Sequence, residues 1–424
     1  MAGTTEVGSQ GSESRRTGVG GRLAALDAFR GFDILVMVFV NYIAGMKAIP
    51  WVLRHARAEM DTYTLTDLVF PGFLFIVGVA IPLSLGKRTQ AGDPLGRVLA
   101  RIAVRTAGLL FLGIIEVNKD RFSAADTGLS ESLWYLLAYL AVMTLWNIYP
   151  RTEDRRRRGF YTGLRVGAVL VLCILVALFR GRTEAGAVVW LQPSWWGILG
   201  QIGWAYLLGC LLFLVSSGKR APLMGFLGLT IAFNAGNYLG ALDFLGAAGA
   251  HDMRGMVSCH GAIVLAGIIV GTMFAPSRMV KELKARLPFL TAFGLGLFLS
   301  GLLLRPIQGI SKIRATESYA LVSAGLCLLA FLAFYLVMDV LKVRRWSGFL
   351  RPVGANPLLA YILPDTVNSL LGLLSGLVGV DLANWLWPFA ERGGMPGMLN
   401  ALAVTGLILL ITGLATRSKI VLRL

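Results

Sequence analysis

The chain holds three histidines, and His55 is set in a short polar loop, WVLRHARAEMDTYTLTD, between two apolar runs. An imidazole titrates near neutrality, so it can take a proton from an incoming nucleophile or carry a transferred group itself. Asn41 closes the preceding run and Asp67 opens the next. A side-chain amide N–H suits a developing oxyanion, and a carboxylate can hold an imidazole in one orientation. Amide, imidazole and carboxylate can thus meet at one mouth, a set suited to acyl transfer. Asp67 also has a plainer reading, as part of a helix N-cap.

A second group is cationic. In LDAFRGFD, Asp27, Arg30 and Asp33 lie three apart, so Arg30 has a carboxylate one helical turn to either side. That pattern fits an interfacial helix start with acids at its positive end, or the lining of a cavity entrance. Arg101 and Arg105 share a helical face and suit either phosphates or lipid headgroups, the latter by snorkelling. Arg305, Lys312 and Arg314 crowd another connection, where they face solvent or an anionic or hydroxyl-rich ligand. In HDMRGMVSCHGAI only His260 lies deep in an apolar run, so a bis-histidine haem is not expected. GANPLLAYILPDTVNSLLG carries Asn356, Pro357, Pro364, Asp365 and Asn368, the mark of a kinked helix packed against protein. The four cysteines show no CxxC spacing, and neither a disulfide framework nor a metal site is expected.

The elements that must position these groups follow from composition. Of 424 residues 56% are hydrophobic and 15% charged, with a mean hydropathy of +0.69. That excludes a soluble enzyme or a nucleic-acid-binding module. Twelve apolar stretches fall near 29–46, 66–86, 97–116, 132–149, 160–180, 197–216, 222–239, 256–274, 287–304, 319–341, 355–378 and 398–416. About 20 apolar residues span a bilayer as a helix. With alternating connections, 24 of the 40 basic residues fall on one side, which the positive-inside rule makes cytoplasmic. The net charge of +17 is then an expression of topology. The expected fold is an all-α polytopic membrane helix bundle of about 12 transmembrane helices, both termini inside. Residues 1–21 are expected to be a disordered cytoplasmic tail before one transmembrane domain over 22–424. No signal peptide is expected, and the first span would itself direct insertion.

The block R-L-x-x-L-D-x-x-R-G (Arg22–Gly31), Val40-Asn41, His55-Ala56 and T-x-x-D-L-V-F-P-x-F-x-F-I-x-G (Thr64–Gly78) resembles the heparan-α-glucosaminide N-acetyltransferase family of transmembrane acyltransferases, in its compact bacterial form. Weaker matches are GILGQIGWAYLL, Asp252 to Gly255, SKIRATESYALVSAG and GANPLLAYIL. The resemblance implies an acyltransferase moving an acetyl group from cytoplasmic acetyl-CoA to an amino sugar or glycan on the far side of the plasma (inner) membrane. His55 and Asn41 occupy the family's acetyl-transfer positions, with Asp67 as a third candidate. Arg30, Arg101 and Arg105 are expected to hold the acyl-CoA, and Asp252, Lys312 and Asn356 the acceptor. The spans 132–149 and 160–180 look like an insertion into a ten-helix core. The expected partners are the lipid bilayer, acyl-CoA and the glycan acceptor, with no nucleic acid and a homodimer left open. A multi-pass transporter or flippase is the alternative.

Overall fold

The computed structural model describes residues 23–245, 250–276, 279–280, 282–382, 384 and 393–423, with the side chains of 250–252 not included. The expected tail at 1–21 lies outside the described residues. Twelve helices coincide with the twelve apolar stretches. They are α1 (Ala24–Ile43), α2 (Leu65–Gln90), α3 (Leu95–Val117), α4 (Glu131–Trp146), α5 (Arg155–Leu178) and α6 (Gly197–Val215). The second half comprises α7 (Arg220–Tyr238), α8 (Ala250–Thr272), α9 (Leu283–Gln308), α10 (Glu317–Tyr335), α11 (Pro357–Val378) and α12 (Gly394–Arg417). Nine of these described helices are long and apolar enough to cross a membrane; α1, α4 and α7 fall outside that set. The chain is an all-α polytopic bundle, and its described strands are a two-residue hairpin, Gly181–Arg182 with Val188–Val189.

α8 and α2 are the most buried of the nine, while α5 and α9 are the least. The two central helices approach backbone to backbone through glycine. A Cβ on Gly78 would stand 2.2 Å from the Val264 carbonyl oxygen, one on Gly267 2.3 Å from that of Phe75, and one on Gly271 2.5 Å from that of Val79. Lipid tails supply no hydrophobic drive between helices, so close contact between small residues is what holds such a pair. α1 is seated similarly on a short helix, Leu350–Ala355, through Gly31 and Gly354. Its first turn lacks a local side-chain cap, and the Ala25 N–H donates instead to Asp339 at 2.9 Å. Asp339 lies in the π-helical turn that ends α10.

Pro71 and Gly72 do not break α2, which is continuous from Leu65 to Gln90. Gly72 instead makes room for the buried Asp33, whose Oδ1 would lie 2.5 Å from a Cβ at that position. The interruption expected around α11 falls at Asn356, between the short helix and α11. α4 stops at Trp146, short of the expected 149, because Asn147 turns to pair with Leu422.

Candidate active site

One cavity of about 360 Å³ runs between α1, α2, α3, α6 and α11. His55, Asn41, Thr66 and Lys312 line one end. Arg30, Ser84, Arg105 and Arg423 line the other, with Met37, Val69, Phe70, Phe73 and Ile76 between. On α2 alone the lining extends from Thr66 to Ser84, about 27 Å at 1.5 Å per residue, close to the thickness of a hydrocarbon core. The volume spread over that length makes a narrow, mostly apolar channel with polar groups at its two ends.

At the histidine end, His55 Nδ1 lies 2.7 Å from Asp67 Oδ1. The carboxylate is almost fully buried (1% exposed) and the imidazole half-exposed (47%). Asp67 Oδ2 accepts the backbone N–H groups of Ala56 (3.1 Å) and Thr64 (3.2 Å). Thr64 and Asp67 complete a capping box, so the N-cap reading of Asp67 and the imidazole-orienting one hold together. The Tyr319 hydroxyl donates to the Asp67 carbonyl at 2.6 Å and fixes this turn against α10. With Asp67 accepting from Nδ1–H, the lone pair of His55 lies on Nε2. The loop itself is tied down by Asp61, which accepts from Arg305 at 2.8 Å and from the Ile310 N–H at 2.7 Å. Arg305 holds the Asp61 carboxyl below the usual carboxylate range.

Lys312 enters from the α9–α10 connection, its Nζ 3.4 Å from His55 Nδ1 and 3.9 Å from Asp67 Oδ1. Burial pushes its ammonium down from the ordinary lysine value, against the pull of Asp67. Asn41 is exposed to the same space at the end of α1, and no hydrogen-bond partner of its amide is found among the described residues. His260 stands behind this end, packed edge-on to Phe70 with ring centroids 4.9 Å apart, and does not line the channel.

At the other end Arg30 donates to the Gly354 carbonyl at 3.3 Å and lies 3.8 Å from Asp27. Arg105 sits over the Tyr206 ring at 4.7 Å, its Nε buried without a hydrogen-bond partner. Arg101 is not brought to the cavity. Its guanidinium turns outward to Asp93, 2.9 Å away, and is half-exposed. Arg423 takes that place and lies beyond every apolar run, where hydropathy gives no reason to look. It is delivered by a short extended segment: the Arg423 N–H donates to the Trp146 carbonyl (2.9 Å), Val421 N–H to Asn147 Oδ1 (3.1 Å) and Leu422 N–H to Asn356 Oδ1 (3.0 Å).

Asn356 is therefore not a lining residue. It is fully buried, and its amide donates to the Ile420 carbonyl at 2.8 Å, so its polarity serves the junction between α11 and this segment. Asp252 lies in the first turn of α8, and its side chain lies outside those described. The channel wall facing α2 includes Tyr361, a residue the sequence did not single out. Beyond it Lys119 and Asp365 pair at 2.7 Å and lock the end of α3 to α11.

The comparisons with known proteins bear on the same residues. A domain family described as a domain of unknown function, DUF5009, matches residues 22–232. The human heparan-α-glucosaminide N-acetyltransferase is 42% identical over 99 residues, 23% of this chain and 14% of that protein. Its mouse counterpart is 39% identical over 108 residues, 26% of this chain and 16% of that protein. Over these stretches the chain is similar to the heparan-α-glucosaminide N-acetyltransferases. The alignments span only about a sixth or less of the curated relatives' length. The DUF5009 stretch contains Arg30, Asn41, His55, Asp67 and Arg105, and includes both α4 and α5. Lys312 and Arg423 lie beyond it.

Proposed function

We propose that this protein is a membrane-integral acyltransferase. It takes an acetyl group from cytoplasmic acetyl-CoA and delivers it to an amine or hydroxyl of a sugar or glycan on the opposite side of the inner membrane. The observation that carries the proposal is the single channel with an oriented histidine at one end and three arginines at the other. Arg30, Arg105 and Arg423 match the phosphates of CoA, since guanidinium groups bind phosphate in paired hydrogen bonds. The apolar middle suits the thin pantetheine arm. Excess Lys and Arg on the connections at the arginine end supports a cytoplasmic donor mouth and an extracytoplasmic His55.

The chemistry then needs few groups. The acceptor nitrogen or oxygen attacks the thioester carbonyl while His55 Nε2 takes its proton. The Asn41 amide N–H donates to the oxyanion, a role worth about 3–4 kcal/mol where it has been measured. Asp67 holds the imidazole and stabilises the imidazolium. As the C–S bond breaks, the imidazolium returns the proton to the CoA thiolate, and an acetylated acceptor remains. Lys312 and Tyr361 border the space left for the acceptor. Residues 22–424 form one transmembrane domain in this reading.

Purified protein in sealed vesicles, with acetyl-CoA on the arginine side and an amino sugar on the histidine side, tests the reading. It expects CoA thiol to appear on one side and acetylated sugar on the other. Thiol release and sugar acetylation both absent, across a panel of amino sugars and glycans, would reject it.

A further inference from the structure

A second cavity, of about 590 Å³, opens between the connection that follows α4 and the first turns of α5, on walls distinct from those of the acyl-transfer channel. Arg151, Arg158 and Arg165 line it beside Tyr149 and Tyr161, with Glu153 the one carboxylate of its lining. The two tyrosine rings stack 4.8 Å apart, and the Arg165 guanidinium lies 5.2 Å from the Tyr149 ring centre. The polar contacts of the arginines are to backbone: Arg158 to the Thr152 carbonyl (3.3 Å) and Arg165 to the Asn147 carbonyl (3.4 Å). None of the three pairs with a carboxylate among the described residues, whereas the neighbouring Arg157 pairs with Asp154 at 3.6 Å. The lining therefore carries three positive charges against one negative.

What lies above the pocket narrows the ligand. Arg158 and Arg165 stand seven residues apart on α5, on one helical face. Beyond Arg165 the helix turns apolar and exposed through Val166, Val169, Leu170 and Ile174. α5 is the least covered of the helices long enough to span the membrane. An anionic head with two apolar chains would meet guanidinium groups at one level and an unoccupied apolar stripe just above.

We propose that the α4–α5 pocket binds the phosphodiester headgroup of an anionic phospholipid, its chains lying along the exposed face of α5. Guanidinium groups match phosphate oxygens in paired hydrogen bonds, and tyrosines favour the membrane–water boundary. Basic clusters immediately cytoplasmic of a membrane helix bind anionic lipid headgroups. The inference rests on α5 lying in the bilayer and is independent of acyl transfer.

The test uses detergent-purified full chain titrated with dihexanoyl phosphatidylglycerol, dihexanoyl phosphatidylcholine and the chain-free glycerophosphoglycerol. Phosphatidylglycerol is expected to bind at least about tenfold tighter than either of the others, from roughly three basic contacts near a membrane surface. Arg151→Gln/Arg158→Gln/Arg165→Gln should abolish that preference, and Arg165→Gln alone should reduce it should the triple variant fail to fold. Equal binding of the two lipids by the unmodified protein, or an unchanged preference in the variants, would overturn the proposal. Glycerophosphoglycerol binding as tightly as the lipid would also overturn it, by pointing to a soluble phosphate ligand.

Discussion

Replacing Asp67 by asparagine changes one atom, and the surroundings dictate how the new amide must lie. Oδ2 accepts two backbone N–H groups, from Ala56 and Thr64, while Oδ1 accepts one N–H from His55. An asparagine has a single oxygen, and leaving buried N–H groups unpaired costs about 1–3 kcal/mol each. The amide oxygen therefore takes the Oδ2 position, and the NH2 group points at His55 Nδ1. Nδ1 must then accept, which puts the imidazole proton on Nε2 and removes the lone pair that faces the substrate. General base catalysis contributes about 10²–10⁴-fold, so turnover in Asp67→Asn should fall by at least about 100-fold. CoA affinity should stay within about twofold, because no arginine of the donor end is disturbed. Stability should drop by only about 1 kcal/mol, the scale of a charge-assisted bond exchanged for a neutral one. CoA thiol release in the presence of an acceptor, paired with calorimetric titration of CoA, reads both quantities. Retention of half or more of the turnover would refute the argument that Asp67 fixes the imidazole tautomer.

Arg423→Ala and Arg105→Ala should each weaken CoA binding by about tenfold or more, since hydrogen bonds to charged groups are worth about 1.5–3 kcal/mol. Acetyl-pantetheine, which lacks the phosphates, should bind both variants unchanged, and Arg101→Ala should leave CoA affinity as it is. Gly267→Ala forces a Cβ to within 2.3 Å of the Phe75 carbonyl, so thermal denaturation should show a loss of about 1–3 kcal/mol, the range for overpacking. Asp61 is held below the ordinary carboxylate range by Arg305, so its tie on the His55 loop is complete above that range and is lost as pH falls through its lowered value. Protease cleavage within residues 54–63 should accordingly be constant from about pH 5 to 8 and rise only at lower pH. In Asp61→Asn it should be raised throughout.

Nine of the twelve helices were legible because an apolar run long enough to span a bilayer leaves no other secondary structure open to it. His55, Asn41 and Asp67 were legible for the opposite reason, as polar groups at the edges of apolar runs. What separates Arg101 from Arg105 was not. They are four residues apart on one face, and the outcome is decided by Asp93 upstream of α3 and by Tyr206 on α6. Arg423 was hidden because its position depends on Asn147 and Asn356, hundreds and tens of residues away, which pin the segment that carries it. Asn356 announced itself as a buried polar residue, but sequence carries polarity without partners. Its amide satisfies backbone groups at a helix junction, a role that competes with ligand binding for the same signal.

Acetyl transfer by His55→Ala, measured beside CoA binding on the same preparation, tests the central claim most directly. The arginine end proposed to hold the CoA phosphates lies about 27 Å away along α2, so affinity for CoA should be unchanged. Turnover with acetyl-CoA and an amino sugar should fall by at least about 100-fold, the contribution of a general base. A His55→Ala protein that binds CoA and still acetylates at the rate of the unmodified protein would contradict the account.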